Sequence, residues 1–426
     1  MQALLHAIIV SLWFYVLLQL IAKNGLFSAC GLSAFDLKAS FILKCAVGVG
    51  LWLIYTYYYP FRGKGDTFRY FDDAMVIYGE LWKNPGTYFK FLFGYGLDDP
   101  ALIPVFDRMN NWTSAATYGL PNDTQTVIRL NMLIALLSGG VYWVHLLFFN
   151  VLSLTGLVGV YALFSENFGK SRKLWWAIVL LPSALFWGSG LLKEAPFLAA
   201  FGWYVWALSK SSERKPVLIL TTVFLLVLKP YIFVAMLPAT VAWVIVQRYH
   251  WNAWITSAAV SVVSFFIALK ASIIYPAGDL LYILSKKQED FYNTAVNAGS
   301  TVYIDPVGVG AWEFIKTIPN RMLYTYGRPY LWESKTLLYI PPAVENIVLI
   351  VAIACALTAV YRRNETIRSP LMVFIVTFSV ALAVIIGSTV PVLGALVRYK
   401  LPAVLLLYSW SVGVILMTKA ERVKQN

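Results

Sequence analysis

The chain has little charge, few histidines and few cysteines. Only 13% of its 426 residues are Asp, Glu, Lys or Arg, and 59% are hydrophobic. Soluble domains carry about 25% charged residues, so the polar surface is too small to cover a water-soluble globule. The three cysteines predict neither a disulfide framework nor a thiolate metal site, and the three histidines lie far apart in the sequence. The composition therefore predicts a polytopic membrane protein embedded in a lipid bilayer.

Long apolar segments take the place of the missing charge. A helix needs about 20 apolar residues to cross a bilayer. About eleven segments approach that length, namely residues 3–22, 40–59, 141–164, 174–192, 195–208, 217–228, 231–246, 254–275, 341–361, 371–387 and 401–417. Residues 127–137 are too short to cross and predict an interfacial or re-entrant helix. We expect an all-α protein with about 11 transmembrane helices, forming a single transmembrane domain over residues 1–426.

The basic residues predict the orientation. The net charge is +13, and the basic residues of the short loops cluster at residues 23–38, 170–173, 210–215, 248, 362–368 and 419–424. With eleven spans these clusters share one side, which the positive-inside rule makes cytoplasmic. This explains the positive charge without nucleic acid as a partner. We expect an inner or plasma membrane location, with the N-terminus outside and the C-terminus in the cytoplasm.

Two long stretches then face the outer side, residues 60–126 and 276–338. The first mixes aromatic residues with Lys and Asp over residues 67–95. That composition is typical of amphipathic helices lying flat on the bilayer with the apolar face down. In the second stretch, Arg321, Arg328 and Glu333 are surrounded by tyrosines and tryptophans. Such a mixture suits a sugar-binding surface.

The motif GKGDTFRYFDDA, residues 63–74, opens the first outer stretch. If it is helical, Asp66, Arg69, Tyr70 and Asp73 fall at i, i+3, i+4 and i+7 and share one face. One interpretation makes Asp66 the N-cap of that helix. The other makes Asp66, together with Asp73, a catalytic base or a metal ligand at membrane level. Both interpretations can hold for the same motif.

Basic residues also occur at the outer ends of spans, where orientation rules discourage them. Lys193 and Glu194 interrupt two apolar runs, and Lys229 precedes Pro230 and Tyr231. Charges between closely spaced spans are functional candidates unless they are paired or hydrated. A snorkelling lysine is the simpler alternative for Lys193.

Near the last span, Arg398 and Lys400 flank a tyrosine. An anionic ligand at the outer leaflet would explain this cluster of cations, and arginine is the best single phosphate clamp. Anchoring to lipid headgroups is the alternative. No metal ligands are assigned. The loop acids Asp98, Asp99 and Asp107 leave a divalent cation open as a cofactor, although their spacing matches no specific cage.

These features together suit a polyprenyl-phosphate-linked sugar as substrate. Its lipid tail would pack between spans, its phosphate would meet Lys and Arg, and an acid would deprotonate the incoming hydroxyl group. Cations at the phosphate would also stabilise the charge that develops on this leaving group.

The motif Gly65-Asp66-Thr67-Phe68-Arg69-Tyr70, which follows an apolar span and opens a long outer loop, resembles the GT-C superfamily of membrane glycosyltransferases. The segment 398–402 is similar to basic-aromatic-proline motifs near the C-terminal spans of several members. The resemblance implies that Asp66 is the acid/base and that Lys193, Lys229 and Arg398 bind the donor phosphate. In that superfamily the acid follows the first span, whereas here it follows the second.

Two other functions remain open. An O-antigen-type polymerase or ligase also handles polyprenyl-linked glycans outside the membrane and relies on outer arginines. A transporter or flippase of lipid-linked sugars is the alternative without catalysis. Transporters commonly show paired halves and mid-membrane charges, whereas this sequence shows no such symmetry and Lys44 is its one clear mid-span charge. The leading prediction is sugar transfer to a glycan, lipid or protein acceptor on the non-cytoplasmic side.

Overall fold

The computed structural model describes residues 1–23, 25, 31–58, 62, 65–114, 123–273, 278–295, 299–308, 310–333, 336–362 and 370–425, the last eight by their backbone alone. Within these ranges the regular structure is helical, apart from one isolated bridge between Thr301 and Val392. The predicted all-α class is thus confirmed. Gly63 and Lys64 of the opening motif, and Arg363 and Arg368 of a predicted cytoplasmic loop, lie outside the described residues.

Eighteen α-helices follow one another along the described chain. They are α1 (Gln2–Lys23), α2 (Ala34–Tyr57), α3 (Asp66–Glu80), α4 (Pro85–Phe93), α5 (Ile103–Phe106), α6 (Asp123–Ser138), α7 (Tyr142–Phe168), α8 (Arg172–Val179), α9 (Pro182–Trp187), α10 (Glu194–Ser209), α11 (Lys215–Leu228), α12 (Pro230–Tyr249), α13 (Ala253–Leu269), α14 (Leu280–Ala295), α15 (Ala311–Gly327), α16 (Ile340–Tyr361), α17 (Pro370–Thr389) and α18 (Leu393–Gln425).

The helices form two compact units. The first unit comprises Met1–Leu163 and Leu185–Pro230, and the second comprises Phe164–Ala184 and Tyr231–Asn426. In the first unit α1 packs against α2, α3 against α6, and α10 against α11. In the second unit α15 and α18 both pack against α17, and α16 packs against α18. Each predicted outer stretch contributes helices to one unit.

Seven helical segments of the described residues are long and apolar enough to cross a membrane. They are Gln2–Lys23, Ala34–Tyr57, Tyr142–Phe168, Pro230–Tyr249, Leu337–Tyr361, Pro370–Thr389 and Leu393–Met417. This makes the chain a helical membrane protein. The other predicted spans are shorter helices, and the predicted span at 174–192 is divided into α8 and α9. The count of about eleven spans therefore stays a prediction.

The helices of the first outer stretch pack on protein. Phe68, Phe71 and Ile77 of α3 are buried, and the helix packs against α6 and α4. The hydroxyl group of Tyr88 in α4 donates a hydrogen bond to the Met132 carbonyl of α6 at 3.1 Å. The amphipathic pattern predicts a face resting on lipid, but much of that face is covered by neighbouring helices.

Glycines bring α7 and α10 into direct backbone contact. A Cβ atom added to Gly202 would overlap the backbone of Gly156, and one added to Gly159 would meet the Gly202 carbonyl carbon at 2.6 Å. Small residues allow membrane helices to approach this closely and gain van der Waals contact. The α7–α10 contact therefore depends on the missing side chains.

We expect Gly202→Ala to lower the free energy of unfolding by about 1–3 kcal/mol, because overpacking forces the two backbones apart. Gly50→Ala in α2 is the matched control, since no atom lies within 4 Å of its added Cβ. It should be neutral or slightly stabilising, because alanine is the better helix former. Thermal unfolding in detergent measures both variants, and equal midpoints would contradict the packing argument.

Candidate functional site

The opening motif forms the start of α3. The helix begins at Asp66, and Gly65 takes the N-cap position without a side-chain cap. Asp66 is therefore the first helical residue and not the N-cap itself. Gly65 is required by packing, because an added Cβ would lie 2.8 Å from the ring of Tyr55. The helical geometry places Asp66, Arg69, Tyr70 and Asp73 on one face, as the spacing predicts.

Asp73 is fully buried and anchors a loop. Its two carboxylate oxygens accept hydrogen bonds from the backbone amides of Asn110, Asn111 and Trp112 at 2.6, 2.8 and 3.1 Å. Burial raises the pKa of the Asp73 carboxyl group, while the amide hydrogen bonds act in the opposite direction. This geometry favours a structural role for Asp73 over the catalytic role that the sequence predicts.

Replacing Asp73 with Asn should destabilise the first unit. An amide NH₂ group would then face a backbone N–H donor, and leaving a buried donor unsatisfied costs about 1–3 kcal/mol. The thermal midpoint of Asp73→Asn should fall, whereas the exposed Asp98→Asn should retain the parent value. An Asp73→Asn protein as stable as the parent would remove the anchoring role.

A turn at residues 188–193 connects the short helix α9 to α10. The Gly188 carbonyl accepts hydrogen bonds from the Lys44 ammonium at 3.0 Å and from the Ser153 hydroxyl at 2.6 Å. The next carbonyl, that of Ser189, accepts one from the Asn150 amide at 3.2 Å. Lys44 has no exposed surface. The mid-span lysine therefore satisfies the free backbone groups of a helix break, as buried backbone requires.

Lys193 lies at the end of this turn, beside α3 and α6. Its ammonium group is 2.8 Å from an Asp123 carboxylate oxygen and 2.9 Å from the Thr124 hydroxyl. It also lies 5.4 Å from the centre of the Tyr70 ring. The side chain retains 18% exposure. The structure thus brings Lys193 together with the face of α3 that carries Asp66, Arg69 and Tyr70.

Arg69 adds a second cation to this face. Its Nη2 donates to the Asn110 carbonyl at 2.9 Å. Its Nε is buried and has no hydrogen-bond partner among the residues that the structure describes. We define the α3 cluster as Asp66, Arg69, Tyr70 and Lys193. It combines one carboxylate, two cations and a tyrosine.

Glu194 and Lys229 form a buried ion pair in the same unit. A carboxylate oxygen of Glu194 and the Lys229 ammonium are 2.8 Å apart, with side-chain exposures of 1% and 4%. Lys229 also lies 5.1 Å from the centre of the Phe197 ring. The Lys229 charge is neutralised by its partner, so its predicted contact with a phosphate stays a prediction.

Breaking this pair should cost more than removing it. Lys229→Met leaves a buried carboxylate without its cation and should lower the free energy of unfolding by about 3–5 kcal/mol. Glu194→Met/Lys229→Met replaces both charges with apolar groups of similar size and should recover most of that loss. Thermal midpoints in detergent measure both variants. A double variant as unstable as the single one would rule out the pairing argument.

The remaining predicted residues belong to the second unit. Tyr231 packs its ring against that of Tyr399, with 5.4 Å between centroids. Arg398 is half-buried in α18, and its predicted contact with phosphate stays a prediction. The Lys400 ammonium donates to the carbonyls of Thr325 and Arg328 and to the side-chain oxygen of Asn346, at 3.0, 2.7 and 2.7 Å. These three acceptors use all three donors of Lys400, which favours a structural role for it.

Sequence reasoning missed two buried polar groups. His145 of α7 lies between Asn131 and Ser138, at 2.8 Å from each. Glu345 of α16 is 3% exposed and accepts a hydrogen bond from the Ser183 amide at 2.6 Å. Glu345 also lines a cavity of 220 Å³ in the second unit. The only signal in the sequence was an acidic residue in the first turns of a span, which is rare in membrane helices.

Among the described residues, no group of three or more His, Cys, Asp or Glu side chains is arranged to hold a metal ion. The aspartates at 98, 99 and 107 do not form such a group. Lys90 pairs with Asp99 at 2.7 Å and lowers the pKa of that carboxyl group. The use of a divalent cation stays untested.

Comparison with known proteins gives no match: no family model fits the chain, and no curated protein and no solved structure is detectably similar to it. The resemblance to the GT-C superfamily therefore stays a prediction carried by the motif at residues 65–70 and by the helical membrane architecture.

Proposed function

We propose that this protein is a membrane glycosyltransferase that moves a sugar from a polyprenyl-phosphate-linked donor to an acceptor on the non-cytoplasmic side. The observation that carries the proposal is the α3 cluster. Asp66 opens the helix, Arg69 and Tyr70 follow on the same face, and the Lys193 ammonium lies 5.4 Å from the Tyr70 ring centre. A carboxylate and two cations within one unit meet the needs of transfer from a phosphate leaving group.

Each member of the cluster has a role in this reaction. The hydroxyl oxygen of the acceptor attacks the anomeric carbon of the sugar, and Asp66 accepts the proton of that hydroxyl group. The bond between the sugar and the donor phosphate breaks as the new bond forms. The side chains of Lys193 and Arg69 stabilise the charge that develops on the departing phosphate. Tyr70 is 3% exposed, and its ring packs beside the Lys193 ammonium and helps to position it. The buried Glu194–Lys229 pair holds the start of α10, which follows Lys193 directly.

Apolar helices of the first unit give the polyprenyl chain a surface to contact. Leu4, Ile8 and Leu12 of α1 and Leu53 of α2 are more than 40% exposed, and both helices are long enough to span a membrane. The acceptor is a glycan, a lipid or a protein hydroxyl group. By the orientation prediction, the reaction takes place outside an inner or plasma membrane, and no nucleic acid takes part.

An O-antigen-type polymerase or ligase is the second candidate. The observation that favours it lies in the second unit, where Arg321 and Arg328 line one cavity within the second predicted outer stretch. Both candidate reactions take the sugar from a polyprenyl-linked donor and release the polyprenyl carrier with its phosphate. One assay of carrier release therefore covers both. A transporter or flippase would need neither a base nor a leaving-group contact.

Asp66→Asn should lower the rate of sugar transfer by about a hundredfold or more, because a positioned general base contributes about 10²–10⁴. The measurement is the release of polyprenyl phosphate when the purified protein is given a panel of polyprenyl-phosphate sugars. A mixed cell extract supplies the acceptor, so the acceptor need not be identified beforehand. Asp72→Asn on the same helix is the control, since Asp72 pairs with Arg62 at the surface.

The control should release polyprenyl phosphate at the parent rate. Equal rates for parent and Asp66→Asn would remove the proposed base. If the parent moves lipid-linked sugar across proteoliposomes without releasing polyprenyl phosphate, the protein is a carrier and the enzyme proposal fails.

A further inference from the structure

A cavity in the second unit plays no part in the reaction assigned to the α3 cluster. It has a volume of 230 Å³ and lies between α15, residues 303–305 and Gly387 near the end of α17. A water molecule occupies about 30 Å³ of liquid, so the cavity has room for about eight waters. That space suits a phosphate group or a single sugar ring.

Arg321 is one of the residues that line this cavity. The residue is 4% exposed, its Nε donates to the Thr317 hydroxyl at 2.8 Å, and its Nη1 donates to the Gly387 carbonyl at 3.3 Å. Its Nη2 is buried and has no hydrogen-bond partner in the described part of the chain. Leaving a buried charged donor unsatisfied is costly, so an acceptor from outside the chain is the expected partner.

Arg328 brings a second guanidinium group to the same cavity. Its central carbon lies 5.3 and 5.7 Å from the ring centres of Tyr324 and Tyr330. Glu333 pairs with it at 3.2 Å, and the arginine side chain keeps 24% exposure. Arginine presents a planar fork of donors that matches the oxygens of a phosphate. Two such groups in one small cavity favour an oxyanion.

The backbone that carries these arginines is held in place. Lys400 binds the carbonyls of Thr325 and Arg328, and the Asn346 amide donates to the carbonyls of Gly327 and Pro329 at 3.1 Å each. These bonds satisfy the free carbonyls at the C-terminal end of α15.

Along its length, α15 is also tied to the neighbouring helix α17. Tyr324, Thr325 and Tyr326 donate side-chain hydrogen bonds to the carbonyls of Val390, Ala383 and Ser379, and all three acceptors lie in or next to α17. A site held in this way loses little conformational entropy when a ligand binds.

The other lining groups suit a sugar. Asp305 and Asn320 line the cavity and offer oxygens that can accept hydrogen bonds from sugar hydroxyls, and Asp305 opposes part of the arginine charge. Tyr303 lines the cavity with a side chain that is 72% exposed, and an exposed aromatic ring can stack on a sugar face. Asp305 and Glu333 are the carboxylates near the two arginines. The two guanidinium groups are therefore the groups of this cavity that can bind an anion.

We infer that this cavity binds the phosphate group of a phosphorylated saccharide, with Arg321 and Arg328 as the phosphate ligands. The phosphate clamp stands on the geometry of the second unit alone. The saccharide part rests on the proposed function, which makes a sugar linked to phosphate the substrate class.

Calorimetric titration of the purified full chain in phosphatidylcholine nanodiscs tests this inference. The probes are glucose 1-phosphate, inorganic phosphate and glucose. We expect saturable binding of glucose 1-phosphate, weaker binding of inorganic phosphate and none of glucose. Absence of saturable binding by both phosphate probes would overturn the inference, and equal affinities for the two would overturn its saccharide part.

Variants assign the binding to the cavity. Arg321→Lys and Arg328→Gln should each weaken glucose 1-phosphate binding by about tenfold or more, because each loses charge-assisted hydrogen bonds. Asn320→Glu, at an exposed position of the lining, should also weaken binding by repelling the phosphate and leaves both arginines in place. The control is Lys316→Gln, which removes one charge from the exposed side of α15 and should retain parent affinity.

Parent-like binding by folded Arg328→Gln and Asn320→Glu proteins would place the phosphate elsewhere and overturn the inference. Nanodiscs made with phosphatidylglycerol add a lipid phosphate. If they abolish glucose 1-phosphate binding by the parent, the cavity takes a lipid headgroup, which overturns the saccharide part. None of these measurements depends on sugar transfer, so failure of the Asp66 test and failure of this inference are distinguishable.

Discussion

The first unit depends on how a lysine inside a membrane helix satisfies the backbone of a neighbouring turn. Free carbonyl groups in an apolar environment need donors, and the turn at residues 188–193 would otherwise leave two carbonyl groups without one. Lys44, Ser153 and Asn150 supply these donors to the carbonyls of Gly188 and Ser189. The chain can therefore leave the helical path there, and Lys193 comes to lie beside Tyr70. A charge in mid-span thus serves the geometry of the candidate site.

Several other buried charges are also satisfied within the protein. Asp73 accepts hydrogen bonds from three successive backbone amides, and Lys400 donates to two carbonyls and a side-chain oxygen. Glu194 and Lys229 neutralise each other. By contrast, the side chains of Asp66 and Lys193 keep partial exposure, and a buried Nη2 of Arg321 stays without a partner in the described residues. The two groups of residues differ in how far their side chains are exposed and, for Arg321, in one donor without a partner among the described residues.

The local features were predictable from the sequence. Apolar composition gave the helical membrane class, and helical spacing placed Asp66, Arg69, Tyr70 and Asp73 on one face of α3. The predicted apolar segment at residues 195–208 also matches α10, which spans Glu194–Ser209. Partners far along the chain were not predictable. Asp73 is hydrogen-bonded to the amides of residues 110–112, and Lys400 is hydrogen-bonded to Thr325, Arg328 and Asn346. Charge spacing alone cannot tell a residue that supports backbone from one that awaits a ligand.

The glycine contact between α7 and α10 also limits the access of lipid. Where the backbones at Gly156 and Gly202 touch, no gap remains that an acyl or isoprenoid chain could occupy. Under the proposed function, a prenyl tail that approaches the first unit from the bilayer would enter along a different pair of helices. The contact between α7 and α10 is thus a closed part of the surface of this unit, and lipid is excluded from it.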